Sequence, residues 1–360
     1  MYFIDSRFHG NDSRDILSVM SESLYRKYRP QKFDEVIGQE KVVSVLEQAI
    51  KDKTIAHAYL FAGSRGTGKT SIARIFAREI GCAPHDIYEM DAASNRSVDD
   101  ARELRDGVSV VPLTSPYKVY IIDEAHMLTK EAFNTLLKTL EEPPKHVIFV
   151  FATTELEKVP ETIYSRCQTF IFETPTAETL REAILKVAKK EKYSIEKESA
   201  ELIARVARGS YRDAYGALQK VMTVSVDKKL TAEEVASVLG SPKGQFARII
   251  SKSIVLGTVD LGLSALKDAR NDNVNAKLLV ESILDIIRAS LAIKVSPKGH
   301  SVITESLSPE DLAVAEEIEK TAGDRLTPAV LVRMLEIALL SEKINDPFVA
   351  LEVILFERVG

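Results

Sequence analysis

Cysteine occurs only twice in 360 residues, at Cys82 and Cys167. Two thiols build neither a disulfide framework nor a four-thiolate zinc site, so a reduced, cytoplasmic protein without thiol chemistry is expected. Long hydrophobic runs are missing too. A stretch such as Val147 to Ala152 is far shorter than the ~20 residues needed to cross a bilayer, and no membrane span is expected. An excess of positive charge is also lacking: 48 Lys and Arg face 53 Asp and Glu, a net charge of −5. That balance excludes a histone-like binder and confines any nucleic-acid contact to a local patch. What remains is ordinary globular composition, 45% hydrophobic and 28% charged, at a length that suits two or three domains.

Residues 1–19 show neither helical nor alternating period and carry no apolar stretch with a cleavage site, so they are not a signal peptide. They are expected to be a disordered leader or a mis-called start, with Met20 as the initiator. From Ala58 to Phe172, short β-rich runs (HAYLFAG, IYEMDA, KVYIID, HVIFVFATT and QTFIFE) alternate with helical patterns. This alternation predicts an α/β fold with a parallel sheet wrapped by helices. Phe133, Leu136, Leu137 and Leu140 place one amphipathic helix over Thr129 to Glu141, stopped by Pro143-Pro144. After Pro175 the strand signals stop, and three helices follow around Leu180 to Val187, Leu202 to Val206 and Leu218 to Val221. Thr231 and Glu234 form a capping box for one more. Ser241-Pro242-Lys243-Gly244 reads as a linker, and the remainder as amphipathic helices. Three domains are therefore expected: α/β over 20–174, small helical over 175–241 and all-helical over 242–360.

The segment Gly63, Ser64, Arg65, Gly66, Thr67, Gly68, Lys69, Thr70 follows a predicted strand and opens a predicted helix that continues through Ser71. That context is the one a phosphate-binding loop requires. Glycines let backbone N–H groups crowd round phosphates, Lys69 reaches the β- and γ-phosphates, and Thr70 can hold Mg²⁺. A second element, Val119 to Ile122, delivers Asp123 and Glu124 at the carboxyl end of a buried strand, where ligands of parallel sheets bind. Asp123 can complete the Mg²⁺ shell, and Glu124 can orient and deprotonate an attacking water. Thr153 and Thr154 bring hydroxyls to the same edge, for the water or a γ-phosphate oxygen. Arg212 lies in the first turn of a helix capped by Ser210 and Asp213, an unfavourable place for a cation by ~0.3 to 1 kcal/mol unless an anion offsets it. A phosphate would do so; a solvated arginine is the alternative. Arg166 on its own reads as a salt-bridge former. Arg96, Arg102, Arg105 and Lys138, interspersed with acids, read as a mixed solvated face.

In order and spacing these motifs resemble those of the AAA+ clamp-loader ATPases. LYRKYRPQKFDEVIGQE, EMDAAS, LLKTLEEPP and FATTELEKVPETIYSRC are similar to segments of the bacterial DNA polymerase III gamma/tau subunits, from Leu24 to about Gly240. The resemblance implies a P-loop AAA+ domain, a helical lid and an all-α collar that oligomerises, with ATP and Mg²⁺ as cofactors. It implies that Thr154 reads the γ-phosphate, that Arg166 is an arginine finger serving the neighbouring subunit, and that Arg212 is the lid sensor. Arg26, Arg29, Pro30, Val36 and Ile37 fall where the family wraps base and ribose. Arg102 and Lys138 fall on helices facing DNA, although basic residues expected near Asn95 and Ser97 are replaced by polar ones. The implied partners are other clamp-loader subunits in a hetero-oligomer, pentameric in form, together with a sliding clamp and primer-template DNA, in the cytoplasm at the replisome.

One departure is large. The family's four-cysteine zinc module is replaced by CAPHDIY with a single Cys82, so no zinc is expected. The shortening resembles replication factor C small subunits, and a loader of that kind is an alternative, as is a non-clamp AAA+ DNA motor. A non-hydrolysing scaffold subunit would lose Lys69, Thr70 or Glu124; all three are present.

Overall fold

The computed structural model describes residues 22–95, 97–239, 244–296, 300–304, 307–341, 344 and 346–357. The expectations for the leader, for Arg96 and for most of the 241–244 linker lie outside the described residues. The chain forms two compact units, one of residues 22–192 with 207–219, the other of 193–206 with 220–357.

The first unit is built on five parallel strands, β1 (Ala58–Ala62), β2 (Ile87–Asp91), β3 (Lys118–Asp123), β4 (Val147–Thr153) and β5 (Gln168–Ile171), in the order β2-β3-β4-β1-β5. Strands β1, β3 and β4 read as continuous apolar runs because both faces of the sheet are covered. On one face Leu60, Ile122, Phe149 and Phe151 pack with Ala101, Leu104, Phe133, Leu136 and Leu140. On the other, Tyr59, Phe61, Ile121 and Val150 pack with Val42, Leu46, Ile72, Ile75 and Phe76. These helical partners come from α1 (Glu40–Lys51), α2 (Lys69–Glu79), α3 (Val98–Val108) and α4 (Lys130–Glu141). The expected helix ending at Glu141 is α4, and Thr129 caps it by accepting the Ala132 N–H at 3.1 Å. Ser97 and Asp100 make a full capping box at the start of α3.

The order sets up the site. The chain leaves β1, passes through α2 and returns at β2 on the far edge, so the carboxyl ends of β1, β4 and β3 stand side by side where the connections diverge.

In the second unit the strand signals do not stop altogether after Pro175: Ser194–Ile195 and Lys229–Leu230 pair in parallel. Two residues per strand leave no alternation to detect. Thr231 and Glu234 exchange their capping bonds as expected, at 3.4 and 3.3 Å. From Gly244 onward the regular elements among the described residues are helices, the long ones being Gly244–Leu256, Val259–Asn271, Ala276–Val295, Pro309–Ala322, Pro328–Ser341 and Pro347–Phe356 around one apolar core.

Candidate active site at the carboxyl ends of three strands

The loop between β1 and α2 turns on Gly66 (φ 76°) and Gly68 (φ 103°), left-handed conformations that a side chain resists. A Cβ on Gly68 would meet nothing within 4 Å. The loop is therefore open immediately before the first turn of α2, where unpaired N–H groups favour an anion. Lys69 is buried, and its Nζ donates to the carbonyls of Gly63 and Ser64, 2.8 Å each. Burial lowers its pKa, opposed by the charges of Glu124 and Asp123. Thr67 donates to Ser64 O at 2.9 Å, while Arg65 is exposed.

Thr70 Oγ1 donates to Asp123 Oδ2 at 2.7 Å, joining α2 to the end of β3. A hydroxyl and a carboxylate side by side are hard oxygen donors, the set that Mg²⁺ prefers. Glu124 follows in a left-handed conformation, φ 49° and ψ 43°, which is uncommon for a residue with a side chain. Thr154 Oγ1 donates to Glu124 Oε2 at 3.3 Å. The structure thus brings Lys69, Thr70, Asp123, Glu124 and Thr154 to one edge of the sheet.

Arg212 is exposed in the first turn of the helix Tyr211–Val224, and that turn is pinned to the loop: the Tyr211 N–H donates to Gly66 O at 3.0 Å. Tyr211 Oη also donates to Ile37 O at 2.8 Å. Within the segment before α1, the Arg29 Nε donates to Ser71 Oγ at 2.9 Å, and Val36 packs on the core. Burial lowers the Arg29 pKa, aided by the neighbouring Arg74. Pro30 is half-buried. Arg26 is exposed, and its guanidinium lies 5.7 Å from the Tyr25 ring, which has Arg212 at 5.9 Å.

Arg166 is not brought to this edge. It lies just before β5, and its Nη2 pairs with Glu141 Oε1 at 2.6 Å, while its Nη1 donates to Thr162 O at 2.8 Å. The residues of β5 alone carry the chain roughly 10 Å along the sheet, and Phe172, just beyond them, is the residue that meets Gly63. Arg102 pairs with Asp99 at 2.9 Å, and Lys138 is exposed on α4.

Two neighbours of the site, Gln39 and His126, escaped the sequence reading, and Ser210, expected only as a helix cap, makes a second contact. Gln39, nearly fully buried, donates to Glu173 O at 2.7 Å and accepts the Glu173 N–H at 3.2 Å. Ser210 fills the space beside Gly66, and His126 sits between β3 and β4. The sequence signal for His126 was its place in Asp123-Glu124-Ala125-His126. Among the described residues no group of three or more His, Cys, Asp or Glu side chains is gathered as a metal site. Cys82 is buried, with its thiol donating to Tyr117 O at 3.2 Å.

The family described as "DNA polymerase III, delta subunit" matches residues 38–97 and 85–176. The chain is 39% identical to DNA polymerase III subunit tau of Bacillus subtilis, over 78% of this chain and 54% of that protein. It is 34% identical to the tau subunit of Escherichia coli, over 81% of this chain and 48% of that one. Among solved structures, the RuvB Holliday junction branch migration motor of Thermotoga maritima superposes with a TM-score of 0.51 and 27% identity, over 63% of this chain and 79% of that one. The chain spans about half the length of these polymerase III relatives. Its fold is that of the AAA+ motor domains, and its sequence is similar to the DNA polymerase III gamma/tau subunits.

Proposed function

We propose that this chain is the ATP-hydrolysing motor subunit of a clamp loader, which opens a sliding clamp and places it on primed DNA. The observation that carries the reading is the meeting of Lys69, Thr70, Asp123, Glu124 and Thr154 at adjacent strand ends. The backbone N–H groups of Gly63 to Thr70 hold the phosphates of ATP, and the Lys69 ammonium exchanges its two loop carbonyls for phosphate oxygens. Thr70 and Asp123 would hold Mg²⁺, which would supply charge neutralisation at the phosphates. Glu124 orients the attacking water and takes its proton, and Thr154 holds that water or a γ-phosphate oxygen. Arg29 with Ser71, Arg26, Pro30, Val36 and Ile37 border the base and ribose, and Arg212 senses phosphate from the lid.

Arg166 lies at the amino end of β5 and serves the site of a neighbouring subunit. Its exchangeable partner Glu141 holds it until that neighbour docks. The domain division follows the same reading: a AAA+ domain over 20–174, a lid over 175–241 and a collar over 242–360. Supporting the collar, Val332, Leu335 and Leu339 on Pro328–Ser341 and Val349, Val353 and Phe356 on Pro347–Phe356 form exposed apolar stripes at helical spacing. They suit packing against other loader subunits. Arg102 and Lys138, exposed on α3 and α4, are the DNA-facing candidates. The assembly works at the replisome in the cytoplasm and needs no zinc.

The similarity to RuvB favours, as second reading, a DNA motor that acts without a clamp. Against it, the described residues from Gly244 onward form helices and no strand, an arrangement that suits a collar better than a β-wing for reading DNA. Equilibrium nucleotide titration tests the site: Lys69→Ala is expected to abolish ATP binding, whereas Glu124→Gln keeps it and loses hydrolysis. Equal loss of affinity in both variants would contradict the assignment of Glu124.

A further inference from the structure

Next to the base stands a buried imidazole to which the proposed mechanism gives no task. The His126 side chain is 7% exposed. Its Nδ1 lies 3.0 Å from Thr153 Oγ1 and 3.7 Å from Glu124 Oε2, and its Nε2 lies 3.3 Å from Glu155 Oε1. We propose that His126 is a positioning residue that locks the Glu124 turn to the end of β4 and acts on hydrolysis through Glu124, leaving nucleotide binding untouched. The proposal rests on the reading of Glu124 as the base.

The backbone explains why such a lock is needed. Glu124 holds a left-handed conformation, which persists for a residue with a Cβ only when its surroundings over-determine it. Locally the turn is closed by two short bonds, Met127 N–H to Glu124 O at 2.8 Å and Leu128 N–H to Ala125 O at 3.1 Å. These fix the turn's shape but do not attach it to β4. His126 provides the attachment. Its partner Thr153 also accepts the Glu155 N–H at 3.0 Å and lies 3.2 Å from Glu155 O, so the imidazole joins the turn that carries Thr154. Glu155 is held from the other side by Lys158 at 2.6 Å. One side chain therefore keeps the two groups that would share the attacking water, Glu124 and Thr154, in a common frame at 3.3 Å. Lys69 and Thr70 are held by separate bonds to the loop and to Asp123. Removing the imidazole frees the base and leaves the phosphate cradle in place.

The test uses the native assembly, purified through an affinity tag on this chain. His126→Ala is expected to lower kcat for ATP hydrolysis by between about tenfold and 10²-fold, with nucleotide Kd and KM unchanged. His126→Asn, whose amide still reaches Thr153, should recover most of the rate, and His126→Gln should not. In single-turnover hydrolysis, His126→Ala placed on Glu124→Gln should cost nothing further, because the group it positions is already gone. A normal kcat in His126→Ala beside a slow Glu124→Gln would overturn the role of His126 alone. So would equal rates in the Asn and Gln variants, a loss confined to KM, or a full second loss in the double variant. A normal rate in Glu124→Gln would overturn the assignment of the base itself. Should the alanine variant fail to assemble, the Asn and Gln pair decides.

Discussion

A Cβ added to Gly66 would lie 2.0 Å from Ser210 Oγ and 2.8 Å from Ser210 Cβ, so the phosphate loop and the start of the Arg212 helix occupy one shared space. The Tyr211 N–H bond to Gly66 O closes the same contact. The loop therefore cannot shift at Gly66 without meeting the turn that bears Arg212.

Gly66→Ala should accordingly damage both sides of that contact. The left-handed backbone alone costs about 1–2 kcal/mol for a residue with a Cβ, and the clash displaces Ser210. The expected result is an ATP Kd weakened by at least about tenfold and a melting temperature a few degrees lower. Adding Ser210→Gly removes the two nearest atoms and should recover part of the affinity but little of the stability. Titration of single and double variants checks it, and normal affinity in Gly66→Ala would refute the coupling.

Asp86 gives a pH-dependent prediction. Burial opposes its ionisation, but the N–H groups of Leu113, Thr114 and Ser115 and the Ser115 hydroxyl outweigh burial and hold the carboxyl down to about 2. Because the folded state holds the proton more weakly than the unfolded chain, the stabilisation is present above the ordinary value of 3.8 and fades as pH falls from there toward 2. Asp86→Asn should melt below the wild type at pH 7, and the gap should narrow through that window. A gap that is constant with pH would show that the loop gains nothing from the charge.

Arg166 should act on a neighbour's nucleotide. Among the described residues, the cation whose charge bears on the buried Lys69 is Arg212, whereas Arg166 lies at the opposite end of β5. In other nucleotide hydrolases an arginine supplied in trans is worth ~10³ to 10⁵ in rate. Mixing subunits carrying Arg166→Ala with subunits carrying Lys69→Ala, each inactive alone, should restore part of the stimulated ATPase wherever an intact loop meets an intact finger. Co-assembly with no activity at any ratio would mean that Arg166 acts in cis or only through Glu141.

Much of the fold was legible in the sequence, for a local reason. The central strands β1, β3 and β4 are apolar runs that stand out because both faces are buried, and the partly exposed edge strands β2 and β5 stand out by their β-rich residues and their alternation with helical patterns. Lys69 and Thr70, and likewise Asp123 and Glu124, sit in contiguous motifs whose chemistry is written in adjacent residues. What escaped depends on adjacency across the sheet. The bridge from His126 to Thr153 exists only because β3 lies beside β4. The approach of Ser210 to Gly66 and the clasp of Gln39 on Glu173 join residues more than a hundred positions apart. Arg166 shows the same limit from the other side: its tendency to form a salt bridge was readable, but its partner Glu141 was not.

On the proposed function, hydrolysis at this site drives the loading of a clamp on primed DNA. The direct measurement is the ATPase rate of the native assembly with neither ligand, with sliding clamp alone, with primed DNA alone and with both. Clamp and primed DNA together should stimulate hydrolysis well beyond either alone, and Glu124→Gln should remove the stimulated rate. A rate indifferent to the clamp, or raised by DNA alone to the same level, would contradict the account and favour a DNA motor that works without a clamp.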